Sequence, residues 1–218
     1  MEKIRILCYG DSNTWGYIPG SDHQRFGEER WTRRLSNLLG ESFEIIEEGL
    51  NSRTLLSNDP RPGKEGKNGY EYLIPCLDTH DPIDLVIMML GTNELKCTYN
   101  RTAEEIGEIF EEYFVKIILN RKSQMNHKVP KLLIIAPPIV NEEAEYCRQD
   151  KKYQGANPKS KEISNLYEKI ATKYHCFFLS NNELETGIDG VHLTRESHQK
   201  LAELLAMRIK EIFKYSRI

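Results

Sequence analysis

Leu85-Val86-Ile87-Met88-Met89-Leu90 is an unbroken apolar run. A strand with one wet face alternates apolar and polar side chains. A run with no polar break suits a central parallel strand, which helices cover on both faces. Leu132-Leu133-Ile134-Ile135 reads the same way. Ile4-Arg5-Ile6-Leu7-Cys8-Tyr9 reads as a buried strand that stops at the tight turn Gly10-Asp11-Ser12.

Five strands are predicted: Ile4–Tyr9, Phe43–Glu47, Leu85–Leu90, Lys131–Ala136 and Cys176–Leu179. Phe43–Glu47 is mixed and fits a place nearer an edge. Helical periodicity covers Trp31–Leu39, Thr102–Leu119, Pro158–Tyr174 and Thr194–Tyr215. Thr102-Ala103-Glu104-Glu105 has the spacing of a capping box. Alternating strands and helices predict a parallel sheet with helices on both faces. The 218 residues suffice for one sizeable core. No repeat or linker divides them, so residues 1–218 are read as one domain. Long connections at Tyr17–Arg30, Leu55–Tyr70 and Pro137–Asn157 follow strands one, two and four. All three therefore emerge at the carboxyl ends of the strands, where open α/β sheets hold ligands. Connections of that length are usually functional or disordered.

Composition narrows the classes. With 29% charged and 39% apolar residues, the chain is globular rather than disordered. A net charge of −3, with no long Lys/Arg cluster, argues against a nucleic-acid partner. The apolar runs are far too short to span a bilayer, so no membrane role is expected. Met1-Glu2-Lys3 leads straight into the first strand, and no secretory signal is expected. Cys8, Cys76, Cys97, Cys147 and Cys176 are scattered, without a Cys-x-x-Cys pair. A reduced, cytoplasmic compartment fits that usage.

Four segments carry residues able to do chemistry. Ser12 sits where a strand meets a turn, a place that suits a nucleophile, a phosphate cradle or a helix cap. Asp189 and His192, three apart in Gly187–Thr194, allow the carboxylate to fold back on the imidazole Nδ1–H and leave Nε2 free. Alone, the pair reads more readily as caps and surface residues. Asn93, in Leu90-Gly91-Thr92-Asn93-Glu94, offers an amide to an oxyanion or makes an Asx turn. Glu94 either pairs with a nearby base or is solvated. The turn Gly49-Leu50-Asn51-Ser52 offers backbone N–H groups. Together the segments supply a nucleophile, a base, its orienting carboxylate and oxyanion donors. Trp15 and Tyr17 flank the nucleophile and either line a substrate pocket or pack beneath the first helix. A metal-dependent hydrolase using His192, His198 and nearby carboxylates is a further alternative, although no His-Glu-x-x-His or similar ligand cluster points to a metal.

Gly10-Asp11-Ser12, Gly49 with Ser52, Gly91-x-Asn93 and Asp189-x-x-His192 resemble the four signature blocks of the SGNH (GDSL-type) hydrolases, in the family's order. The surrounding stretches Ile6–Gly16, Glu47–Leu50 and Leu85–Asn93 are similar to the bacterial aryl esterase/acyltransferase branch. The resemblance implies a three-layer α/β/α, flavodoxin-like fold with a five-stranded parallel sheet. It also implies a serine esterase for short-chain or aryl esters, with acyl transfer as a further outcome and no metal or organic cofactor. Ser12 would be the nucleophile, His192 the base and Asp189 its orienter. The Ser12 N–H, the Ser52 N–H and the Asn93 side chain would form the oxyanion hole. The resemblance implies a small-molecule ester as partner and raises a homo-oligomer as an expectation. Ser52 stands where the family often has Gly or Ala, Asn13 where Leu is common, and Glu94 where Asp is common. A carbohydrate O-acetylesterase of the same family, a flavodoxin-like phosphate or nucleotide binder and an inactive interaction protein are the alternatives.

Overall fold

The computed structural model describes residues 2–214. Five parallel strands, β1 (Ile4–Gly10), β2 (Phe43–Gly49), β3 (Leu85–Met89), β4 (Lys131–Ile135) and β5 (Phe177–Leu179), form one sheet in the order β2-β1-β3-β4-β5. This is the doubly wound order whose direction of travel reverses between β1 and β3. The apolar runs become β1, β3 and β4, and β2, with its acidic residues, is an edge strand that is half-buried throughout.

Period two divides each central strand between two cores. Leu7, Tyr9, Val86, Met88, Leu132 and Ile134 face one apolar cluster, and Ile6, Cys8, Leu85, Ile87, Leu133 and Ile135 face the other. The short helix α1 (Ser12–Trp15) and α2 (Trp31–Leu39) come first along the chain. The helix α3 (Gly69–Thr79) opens on an Asn68 cap and contains Pro75. Its glycine start and internal proline hide the helical pattern, so the sequence predicts no element over this stretch.

The predicted helix Thr102–Leu119 is three pieces: α4 (Ala103–Phe110), a π-helical turn at Glu111–Val115, and α5 (Lys116–Asn120). Its capping box is present, with the Glu105 N–H donating to Thr102 Oγ1 at 3.2 Å and the Thr102 N–H donating to Glu105 Oε2 at 2.8 Å. Inside the long third connection lies α6 (Glu145–Asp150). The chain continues with α7 (Ala156–Lys173) and α8 (Arg195–Lys214). Tyr215, the predicted end of the last helix, lies outside the described residues. Apolar residues of α2 and α8 pack in the core holding Ile6 and Cys8, and those of α3, α4, α5 and α7 pack in the other. No helix among the described residues is long and apolar enough to cross a membrane.

Candidate active site

At the carboxyl ends of β1, β2 and β3 the chain turns through Ser12, Ser52 and Asn93. The approach is close. A Cβ on Gly49 would lie 2.3 Å from the Trp15 backbone nitrogen, so the end of β2 can meet α1 only through a glycine. Gly10 is equally confined, with Thr14 Oγ1 at 2.1 Å and the Met89 carbonyl oxygen at 2.6 Å from such a Cβ.

Asp11 caps α1, its Oδ1 accepting the Asn13 N–H at 2.9 Å. The Thr14 and Trp15 N–H groups donate to the Asp11 carbonyl. That leaves the Ser12 N–H without an intramolecular acceptor among the described residues. Ser52 has φ +66°, a left-handed backbone that costs about 1–2 kcal/mol for a residue with a Cβ. Glycine alone avoids that cost. Asn93 is buried, and its Nδ2 donates to the Arg53 carbonyl at 2.9 Å, leaving a second amide hydrogen for a ligand.

The Asp189 and His192 loop closes the group. His192 Nε2 lies 2.9 Å from Ser12 Oγ, and His192 Nδ1 lies 2.7 Å from Asp189 Oδ2. Asp189 also accepts the Gly20 N–H on Oδ2 at 3.1 Å and the Val191 and His192 N–H groups on Oδ1 at 3.0 Å each. Burial works to raise its pKa. The His192 ring and these N–H donors outweigh burial and hold the carboxyl at about 2. A charged Asp189 keeps the proton on Nδ1, so Nε2 can accept the hydroxyl proton of Ser12.

Two side chains that sequence reading does not assign brace the site. Asn13 Oδ1 accepts the Leu193 N–H at 2.9 Å, and its Nδ2 donates to the Val191 carbonyl at 3.3 Å. It therefore ties the Ser12 turn to the loop carrying His192, a link that leucine cannot make. Arg53 is buried with its guanidinium 4.1 Å from the Tyr9 ring centre, and it donates to the Gly10 carbonyl at 3.0 Å. Nothing local in the sequence signals either contact.

Ser12, Ser52, Asn93, Asp189 and His192 line one cavity of about 390 Å³. Tyr17 joins them and stacks on His192 with ring centres 4.3 Å apart. Trp15 is not in the lining. Its ring lies beneath the Arg25 guanidinium, 5.1 Å away. All three long connections contribute to the wall, through Gly20 and His23, through Arg61 and Lys64, and through Tyr146 and Tyr153.

Glu94 does neither thing expected of it. It is fully buried and accepts the Leu55 N–H at 2.5 Å, bracing the Ser52 loop. Burial pushes its pKa up to about 8. His198 is equally buried, its Nδ1 accepts the Trp31 N–H at 3.2 Å, and burial lowers its pKa to about 3. It is a neutral core histidine outside the cavity lining. Glu48, Cys76 and His80 bring three potential metal-ligand atoms within 4.8 Å of one another. Burial and the Glu48 charge keep the Cys76 thiol protonated up to about 12, and Arg53 already faces Glu48 at 4.0 Å. This group reads as an ion-pair network, and none of it lines the cavity.

An aryl esterase from M. smegmatis is 34% identical, with a TM-score of 0.85 over 95% of this chain and 98% of its own. A carbohydrate acetylesterase from Sinorhizobium meliloti is 35% identical, with a TM-score of 0.87 over 97% of this chain and all (100%) of its own. An acetylxylan esterase of Xylanibacter ruminicola is 23% identical over 96% of this chain, and the chain spans 44% of that relative's length. The pattern of the GDSL-like lipase/acylhydrolase family matches residues 6–205. With that match spanning most of the sequence and the SGNH hydrolase fold around it, the chain belongs to the GDSL-like lipase/acylhydrolase family of hydrolases.

Proposed function

We propose that this protein is a serine esterase that works through an acyl-enzyme on Ser12. The observation that carries the reading is the continuous relay Asp189–His192–Ser12, with links of 2.7 and 2.9 Å. Ser12 Oγ attacks the ester carbonyl carbon while His192 Nε2 takes its proton. The bond to the alcohol oxygen then breaks, and the Nε2 proton passes to that oxygen. A water next gives its proton to Nε2 and attacks the acyl carbon, and Ser12 Oγ departs with the proton restored. An alcohol in place of that water gives acyl transfer. The Ser12 N–H, Ser52 N–H and Asn93 Nδ2 hold the oxyanion, each donor worth about 3 kcal/mol in the transition state.

The reading favours short-chain acyl groups on an aryl or a sugar alcohol. The sugar reading has its own support in the polar wall made by Ser21, Asn51, Asp150 and Lys152, which suits hydroxyl groups. An acetyl-ester panel, with and without a competing alcohol, separates hydrolysis from transfer and aryl from sugar alcohols. Ser12→Ala is expected to abolish turnover and labelling by a fluorophosphonate while the fold persists. Near-normal turnover in that variant would remove Ser12 as the nucleophile.

A further inference from the structure

The cavity is charged against the trend of the chain. The whole sequence carries −3, yet the wall holds Arg61, Lys64, Lys96 and Lys152 against only Asp150 and Asp189. Four of these six groups are already engaged nearby. Lys152 pairs with Asp150, and Arg61 grips Asp59 through its Nε at 2.8 Å and its Nη2. Asp189 is committed to His192.

Lys64 and Lys96 remain. Neither has a carboxylate within 4.0 Å among the described residues. For Lys64, half-exposed at the rim, that is ordinary. For Lys96 it is not, because the residue is only 8% exposed and its side chain makes no hydrogen bond among the described residues. Buried lysines are almost always paired, since an ammonium gives up hydration on burial. Burial, then the Arg61 charge, brings its pKa down to about 8. It is therefore still mostly charged at neutral pH.

Its place in the fold is equally specific. Lys96 follows the 3-10 turn Thr92–Leu95, and its N–H donates to the Asn93 carbonyl at 3.3 Å. The oxyanion donor and the unmatched ammonium thus share one turn and one cavity. We propose that the ester this site takes bears an oxyanion substituent, held at Lys96 with Lys64 guarding the rim. The inference rests on the esterase reading above and names its substrate class. An ammonium is a point charge, and the one guanidinium fork in the wall is already engaged by Asp59. The wall therefore reads charge rather than the planar shape of a carboxylate, and carboxylate and sulfate esters share the needed chemistry.

Three aryl acetates of matched size test this: 3-acetoxybenzamide, 3-acetoxybenzoate and 3-acetoxyphenyl sulfate, each corrected for its hydroxide-catalysed rate. The expected kcat/KM for an anionic ester exceeds that of the amide by about tenfold or more, a ratio that Lys96→Met lowers to about twofold or less. The benzoate and sulfate arms show which oxyanion is preferred. A wild-type ratio under about threefold for both anions overturns the inference, as does a ratio that survives Lys96→Met. Should that variant fail to fold, Lys64→Met decides, and an unchanged ratio there is equally fatal. Turnover of the amide that disappears in Ser12→Ala upholds the esterase reading whichever way the ratio falls.

Discussion

Two arms close on Ser12, and each is built around one buried carboxyl group in an opposite state. The proposed base arm, around Asp189 and His192, gives its carboxylate three N–H donors and an imidazole. The proposed oxyanion arm, around Ser52 and Asn93, ties Glu94 to one N–H donor, and its Oε2 has no hydrogen-bond partner among the described residues. Burial opposes ionisation in both. Donors decide the outcome, holding Asp189 at about 2 while Glu94 rises to about 8. The base arm needs a charge, because that charge selects the tautomer of His192. The oxyanion arm needs only an acceptor for the Leu55 N–H, and a neutral acid serves.

The two arms should therefore fail at opposite ends of the pH scale. The Asp189 pKa is depressed from its ordinary 3.8, so its stabilising contribution is present above that value and lost as pH falls towards about 2. The Glu94 pKa is raised from 4.5. The folded chain keeps a proton there that the unfolded chain releases, so its contribution weakens as pH rises from 4.5 through about 8.

Breaking the base arm should have the largest effect. Asp189→Asn presents an amide donor to the ring and favours the wrong imidazole tautomer, so kcat should fall by about 10⁴-fold. A loss under about tenfold, from esterase kinetics on the folded variant, would mean that the carboxylate does not set the tautomer. Asn13→Ala, which unties His192 from the nucleophile turn without touching either group, should lower kcat by about 10- to 100-fold with a smaller change in KM. A rise in KM alone would assign Asn13 to substrate binding instead.

The smallest effect on turnover is expected in the oxyanion arm. Glu94→Gln keeps an acceptor for the Leu55 N–H and removes the titration. Thermal melts should show the variant close to wild type near pH 5 and more stable by about 1–3 kcal/mol near pH 9. Parallel stability curves for the two proteins across that range would show that Glu94 stays ionised when buried.

Much of this was legible in local sequence. The unbroken apolar runs marked β1, β3 and β4, and the acidic content of Phe43–Glu47 marked an edge. Such patterns depend on neighbours a few positions apart. The α3 helix was not legible, because Gly69 and Pro75 break the signals by which helices are read. Tyr17 lines the cavity while Trp15 turns to Arg25, and no spacing rule separates two aromatics two positions apart.

What the sequence determined by itself is the layered α/β frame and the positions at which its turns deliver Ser12, Ser52, Asn93, Asp189 and His192. Periodicity and turn chemistry act over a few residues, so they can be read without coordinates. Tertiary structure alone decided the electrical state of the site. Asn13 meets the His192 loop across 180 positions, and Glu94 meets Leu55 across 39. Lys96 is left in the wall without a carboxylate within 4.0 Å among the described residues. Charge in a folded protein follows from burial and from donors brought in by distant segments, and no local pattern of residues records either.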